Sequence, residues 1–180
     1  MKTKAFLHGA MIVLSAFFMT CWTGCKFFNP PSDQSKSAHS PKSAKIQYAF
    51  SANEEMVDLF YIKIDYLDEE GQTKTVTLNE PTWALTVQSK ELPAKFGMKI
   101  NITLRGMADP GKYEVLPVNF GWSYTTTALD EEGNAIGDYH RNSANVETDL
   151  PRGKVSLWVE EYAKDPIGFT VEYDAKGELK

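Results

Sequence analysis

Phe96-Gly97-Met98-Lys99-Ile100-Asn101-Ile102-Thr103-Leu104-Arg105 alternates without a break, with Phe96, Met98, Ile100, Ile102 and Leu104 in one phase and smaller or polar residues in the other. A period of two belongs to a β-strand with one buried and one wet face. Outward from this run the same period recurs. Ile46, Tyr48 and Phe50 alternate with Gln47, Ala49 and Ser51, and Phe60, Ile62, Ile64 and Tyr66 with Tyr61, Lys63, Asp65 and Leu67. Trp83, Leu85 and Val87 form a further run, as do Leu116 to Tyr124, Val155 to Val159 and Ile167 to Tyr173. No window holds a helical period, and at most one helical turn fits near Asn53–Met56. The pattern predicts an all-β chain.

Turn chemistry separates the runs. Asp68-Glu69-Glu70-Gly71 predicts a hairpin to Thr73–Leu78, because a late glycine suits a turn with a bulge. Asp109-Pro110-Gly111 predicts a turn in which proline presets φ and glycine takes the left-handed region. Pro151-Arg152-Gly153 breaks the chain before Val155, and Pro117 marks a bulge or an edge strand. Seven to nine short strands suggest a two-sheet antiparallel sandwich, Ig-like or transthyretin-like, with an open barrel as the alternative. The motif Leu67-Asp68-Glu69-Glu70-Gly71 recurs at Leu129–Gly133, with a looser echo at Tyr173–Gly177. Repeated hairpin chemistry accounts for the match without a duplication.

The 180 residues suffice for one ordinary domain with an appended segment. Lys2 and Lys4 precede an apolar stretch from Ala5 to about Trp22, the layout of a secretory signal. The stretch ends in Trp22-Thr23-Gly24-Cys25, which resembles the lipobox of bacterial lipoproteins. That resemblance implies cleavage after residue 24 and a diacylglycerol on Cys25. Trp22 departs from the usual aliphatic residue, and Cys21, preceded by Thr20, is the poorer candidate. An uncleaved anchor is the alternative, since about 18 apolar residues can span a bilayer. Both cysteines lie in this leader. A disulfide framework, a thiolate nucleophile and a cysteine-based zinc site are therefore excluded from the domain.

Residues 25–44 lack any period and read as a tether, and residues 45–180 as the sandwich domain. The domain carries 14 Lys and Arg against 23 Asp and Glu, a net −9. Such an acidic balance speaks against a general nucleic-acid binder, and no nucleic acid is expected as a partner.

The search for chemistry is mostly negative. Asp130, Glu132 and Asn134 begin like an EF-hand loop, but Gly133 is misplaced and Arg141 stands where a bidentate Glu is needed. His140 is the domain's one histidine, so two-histidine metal motifs are excluded, and no nucleophile turn accompanies it. No metal, no cofactor and no enzyme activity are expected. Tyr139, His140 and Arg141 lie in the least patterned stretch, Glu131–Leu150, which reads as a long loop able to carry binding function. Tyr61 and Trp158 fall on the polar phase of their strands, where an exposed ring can stack on a sugar or a partner's side chain.

The leader, the tether, then Tyr61–Gln72 with Val76-Thr77-Leu78 and Trp83 together resemble small β-sandwich lipoproteins of Gram-negative gut anaerobes. In those a Tyr-x-Asp-x-x-Gly hairpin is followed by Pro-Trp, whereas here Thr82 separates Pro81 from Trp83. The resemblance implies a sandwich fold and an envelope location, and no activity. The expectation is a lipid-anchored envelope protein, at the outer membrane, that binds a protein or glycan without catalysis. An accessory subunit of an envelope complex is the alternative, and a hydrolase the third reading. Lys26-Phe27-Phe28-Asn29 lacks the acidic cluster associated with surface export, which leans towards the periplasm without deciding the membrane face.

Overall fold

The computed structural model describes residues 40–180. The leader, Cys25 and most of the tether lie outside the described residues.

The described chain is a sandwich of two four-stranded antiparallel sheets. One sheet has the order β4-β1-β6-β7: β1 Ser43–Ala52, β4 Thr82–Gln88, β6 Val115–Leu129 and β7 Ala135–Pro151. The other has the order β3-β2-β5-β8: β2 Phe60–Leu67, β3 Thr73–Leu78, β5 Ala94–Leu104 and β8 Gly168–Tyr173. The first two strands belong to different sheets, whereas in the immunoglobulin order they are neighbours. β1 begins at Ser43, two residues before the boundary expected from composition.

Each run of alternating residues turns its apolar phase inward. Ile46, Tyr48 and Phe50 of β1, Ile62 and Ile64 of β2, Phe96, Ile100 and Ile102 of β5, and Leu116, Val118 and Phe120 of β6 are buried in one core. Tyr48 is fully buried and its hydroxyl is not orphaned. It donates to the Leu67 carbonyl at 3.1 Å and accepts from the Gly97 N–H at 3.2 Å. Because a buried polar group without a partner is costly, this phenol ties β1 of one sheet to β2 and β5 of the other. Burial holds its pKa well above the ordinary tyrosine value.

Three turns share one design. In each, an aspartate N–H donates to the carbonyl four residues on, and its own carbonyl accepts from a glycine three residues on. The Asp68 carboxylate accepts from Glu70 N and Gln72 N, Asp130 from Asn134 N, and Asp174 from Lys176 N and Glu178 N. Gly71, Gly133 and Gly177 have φ of 72°, 83° and 77°, values that side-chain-bearing residues seldom adopt. The repeated sequence motif is thus one recurring turn.

These carboxylates also make the fold acid-sensitive. Backbone N–H donors, Gln72 for Asp68 and Glu178 for Asp174, hold both below the ordinary 3.8 of an aspartate. Unfolding raises the pKa, so the unfolded chain takes up protons first as the pH falls. The stability they contribute is complete above the ordinary value and is lost as pH drops through the lower folded values. The expected result is a melting temperature that falls as the pH drops below about 4. The Asp68→Asn, Asp174→Asn variant should melt lower at neutral pH and respond less to acid. An equally steep acid response in that variant would contradict the assignment.

Four expectations are corrected. Val155–Val159 is not a strand but the start of helix α2, Val155–Tyr162, whose Val155, Trp158, Val159 and Tyr162 face the core at helical spacing. Glu131–Leu150 is not a long loop: after a tight turn it forms β7, seventeen residues paired with β6 along its length. Gly111 does not take the left-handed region; it sits in a short 3-10 turn, Pro110–Lys112, capped by the Asp109 carboxylate. The helical turn near Asn53 becomes α1, Glu54–Leu59, which buries Met56, Val57 and Leu59. At Pro117 there is no bulge. Its residues lie beyond the β1 ladder, which ends at Ala52↔Phe120, and Asn53 Nδ2 donates to the Pro117 carbonyl at 2.7 Å.

Candidate functional site

The structure does not bring the expected site residues together. Tyr61, 43% exposed, stands on the outer face of β2, and the Arg105 guanidinium lies 4.6 Å over its ring. Arg105 Nε donates to the Val57 and Phe60 carbonyls at 3.1 Å each, so the cation is fixed and one ring face is already covered.

Trp158 is not an exposed platform. In α2 it packs 5.9 Å from Phe60 and 6.3 Å from Phe120, and stacks on Tyr162 at 5.4 Å. The Tyr162 hydroxyl donates to the Ile100 carbonyl at 2.9 Å and accepts from Ile167 N at 3.2 Å. Burial pushes this phenol up to about 12. The two rings close the core beside β2, β5 and β6, which is a packing role.

Tyr139, His140 and Arg141 lie on β7, and the geometry separates their roles. β6 and β7 run in register until Thr126↔His140 and resume at Ala128↔Ile136, so β7 accommodates Gly137, Asp138 and Tyr139 against Thr127 alone. Gly137 takes a φ of 74° in this bulge. The extra residues re-aim Tyr139, as bulges do. It leans over the outer face of its sheet, 52% exposed, and bounds a hollow of about 280 Å³ with Lys45, Gln47, Thr86, Thr125 and Thr127. Arg141 pairs with Thr125 in the outward phase, whereas His140 pairs with Thr126 in the inward phase yet is exposed.

Around this hollow, which Lys45 lines and Arg141 flanks, the outer face of β1, β4 and β6 consists of small side chains. Ala49 and Ser51 of β1, Thr82 and Ala84 of β4, and Gly121 and Ser123 of β6 continue it. A shallow hollow of about 260 Å³ lies over Gly121, where a Cβ would meet the Ala144 carbonyl at 2.7 Å. Periodicity could not have marked this face, because it registers large apolar residues and these are small.

The opposite sheet's outer face carries charge. Asp65 accepts from Thr75 Oγ1 at 2.6 Å and from Asn101 Nδ2 at 2.7 Å, and Lys95 pairs with Glu172 at 2.9 Å. A hollow of about 430 Å³ between the Asp68–Gly71 turn and Ser89–Lys95 is flanked by the Lys90–Glu70 pair at 2.7 Å. Among the described residues no three His, Cys, Asp or Glu side chains gather as metal ligands would, and no helix is long and apolar enough to cross a membrane. The arrangement can offer hydroxyl, amide and aromatic contacts on a flat face. Compared with known proteins, the chain matches no family model and no curated protein.

Proposed function

We propose that the chain is a lipid-anchored protein of the cell envelope whose sandwich domain binds a glycan or protein partner without catalysis. The observation that carries the anchor is the apolar leader ending in Gly24-Cys25, with no cysteine after it. The binding half of the reading is supported by Tyr139, an exposed ring set among Thr, Gln and Lys45 side chains on a face of small residues. Rings supply an apolar plane for a sugar, and hydroxyl and amide groups supply hydrogen bonds. The hollow is just below the range of about 300–1,000 Å³ usual for small-molecule sites, which suits an extended ligand lying across the sheet.

Changing Cys25 to Ala is expected to abolish labelling by radioactive palmitate and leave an uncut or released form, while Cys21→Ala labels normally. Labelling of the Cys25→Ala chain but not the Cys21→Ala chain would move the cleavage site by four residues. Normal labelling of both would leave the uncleaved anchor as the account. For the binding half, Tyr139→Ala should lower retention on envelope polysaccharide about tenfold, a ring contact being a typical hot spot. Its melting temperature should be unchanged, because the side chain is exposed. Equal retention by both proteins would remove Tyr139 from the site.

A further inference from the structure

The free edge of β7 is the longest in the fold. The other edge strands, β3, β4 and β8, have six, seven and six residues, against seventeen in β7. β8 is further covered by the C-terminal segment, through the Tyr173↔Leu179 bridge and a Lys180 N–H donated to the Glu172 carbonyl. Natural sheets blunt their edges with short strands, lysine or proline. Beyond the Gly137–Tyr139 bulge, from His140 to Leu150, β7 has no further bulge and neither Lys nor Pro.

The edge also has a readable hydrogen-bonding phase. Arg152 N donates to the Glu114 carbonyl at 2.9 Å, which continues the β6–β7 register. Alternate residues of an antiparallel ladder bond the same neighbour. From His140 to Leu150 the even-numbered residues therefore bond β6, and the N–H and C=O groups of Arg141, Ser143, Asn145, Glu147 and Asp149 point away from the sheet. Consistent with this, the Ser143 N–H is met by its neighbour's side chain, Asn142 Oδ1 at 2.8 Å.

We propose that this edge pairs antiparallel with β7 of a second copy, about a two-fold axis at Ala144. The charges favour that partner, and together with Pro151 they select that register. With Ala144 opposite Ala144 of the second copy, Arg141 faces Glu147 of the second copy, and the symmetry repeats the pair. All four are in the outward-bonding phase, and no ion pair among the described residues engages Arg141 or Glu147. Opposite charges directly across a strand pair stabilise it. Ser143 then faces Asn145, and Tyr139 faces Asp149. Sliding by one step would set Arg141 against Asp149 but would place Tyr139 opposite Pro151, which has no N–H to donate. The pairing joins two sheets into one of eight strands and sets both Tyr139 hollows on the same side. It rests on the sandwich alone and stands whether or not the ligand is a glycan.

Sedimentation of the full chain in detergent micelles tests it. The expected result is a concentration-dependent dimer. Arg141→Glu and Glu147→Arg should each weaken it about tenfold, since each creates two like-charge pairs, and the double reversal should restore it. The double reversal keeps the test sound, because it recovers the dimer without recovering either side chain. Under mild oxidation Ala144→Cys should cross-link to itself, with the unsubstituted chain as the control for the leader cysteines, and Asn145→Cys should not. A monomer at every concentration, a dimer indifferent to the single reversals, a double reversal that stays monomeric, or cross-linking through Asn145→Cys instead would each overturn the proposal.

Discussion

Replacing Phe120 by alanine is expected to cost about 4 kcal/mol of folding stability, the usual range for emptying a buried aromatic site. Phe120 is 1% exposed, and its ring meets Phe50 of β1 at 6.3 Å and both Trp158 and Tyr162 of α2 at 6.3 and 5.7 Å. Its removal opens a cavity between a sheet and the helix that caps it, and the sheet cannot collapse into it without breaking ladder bonds. Since whole domains have only about 5–15 kcal/mol in hand, the variant should sit near the edge of folding. Urea titration checks this through the midpoint, with the slope unchanged for a two-state transition. A loss below about 1 kcal/mol would mean that α2 does not lean on this ring.

The second large effect is expected at Trp158. Alternation sets this residue beside Ser156 and Glu160 on a wet face, where truncation would be nearly neutral. The structure sets it against Phe60, Phe120 and Tyr162, half-buried. Trp158→Ala should therefore cost about 2–3 kcal/mol, less than a fully buried tryptophan because part of the ring meets water. Thermal melting followed by far-ultraviolet circular dichroism distinguishes the two outcomes. A melting temperature equal to that of the parent chain would restore Trp158 as a surface platform.

Much of the sandwich is legible in the sequence because most strands have one buried face. Phe96 to Leu104 and Leu116 to Tyr124 show this directly, and the Asp68–Gly71 hairpin follows from turn chemistry. β7 escapes because it is an edge strand whose residues from Gly137 to Asn145 are all exposed. Periodicity detects burial, whereas β7 is defined by backbone pairing with β6, which has no signature in side-chain polarity. α2 escapes for the opposite reason. Val155, Leu157 and Val159 satisfy a period of two, while Val155, Trp158, Val159 and Tyr162 satisfy a helical one, and eight residues are too few to separate them. The β-branched Val155 and Val159 favour the strand pattern on propensity. The site was legible in part. Tyr139 drew attention through its polar setting, but the threonine face beneath it needed the pairing of four strands to be assembled.

The position of β1 has a consequence for how the chain reaches this state. It is the first strand of the sandwich to be made, yet it sits inside its sheet, with one edge held by β4 and the other by β6 from Ser43↔Leu129 to Ala52↔Phe120. A nascent chain can close the β4 side early. The β6 side stays open until residue 129 has left the ribosome, some eighty residues later. During that interval Ile46, Tyr48 and Phe50 lie on a strand whose second edge is an unfilled template for any extended segment nearby. Folding of this domain is governed by distant partners, and such topologies fold slowly.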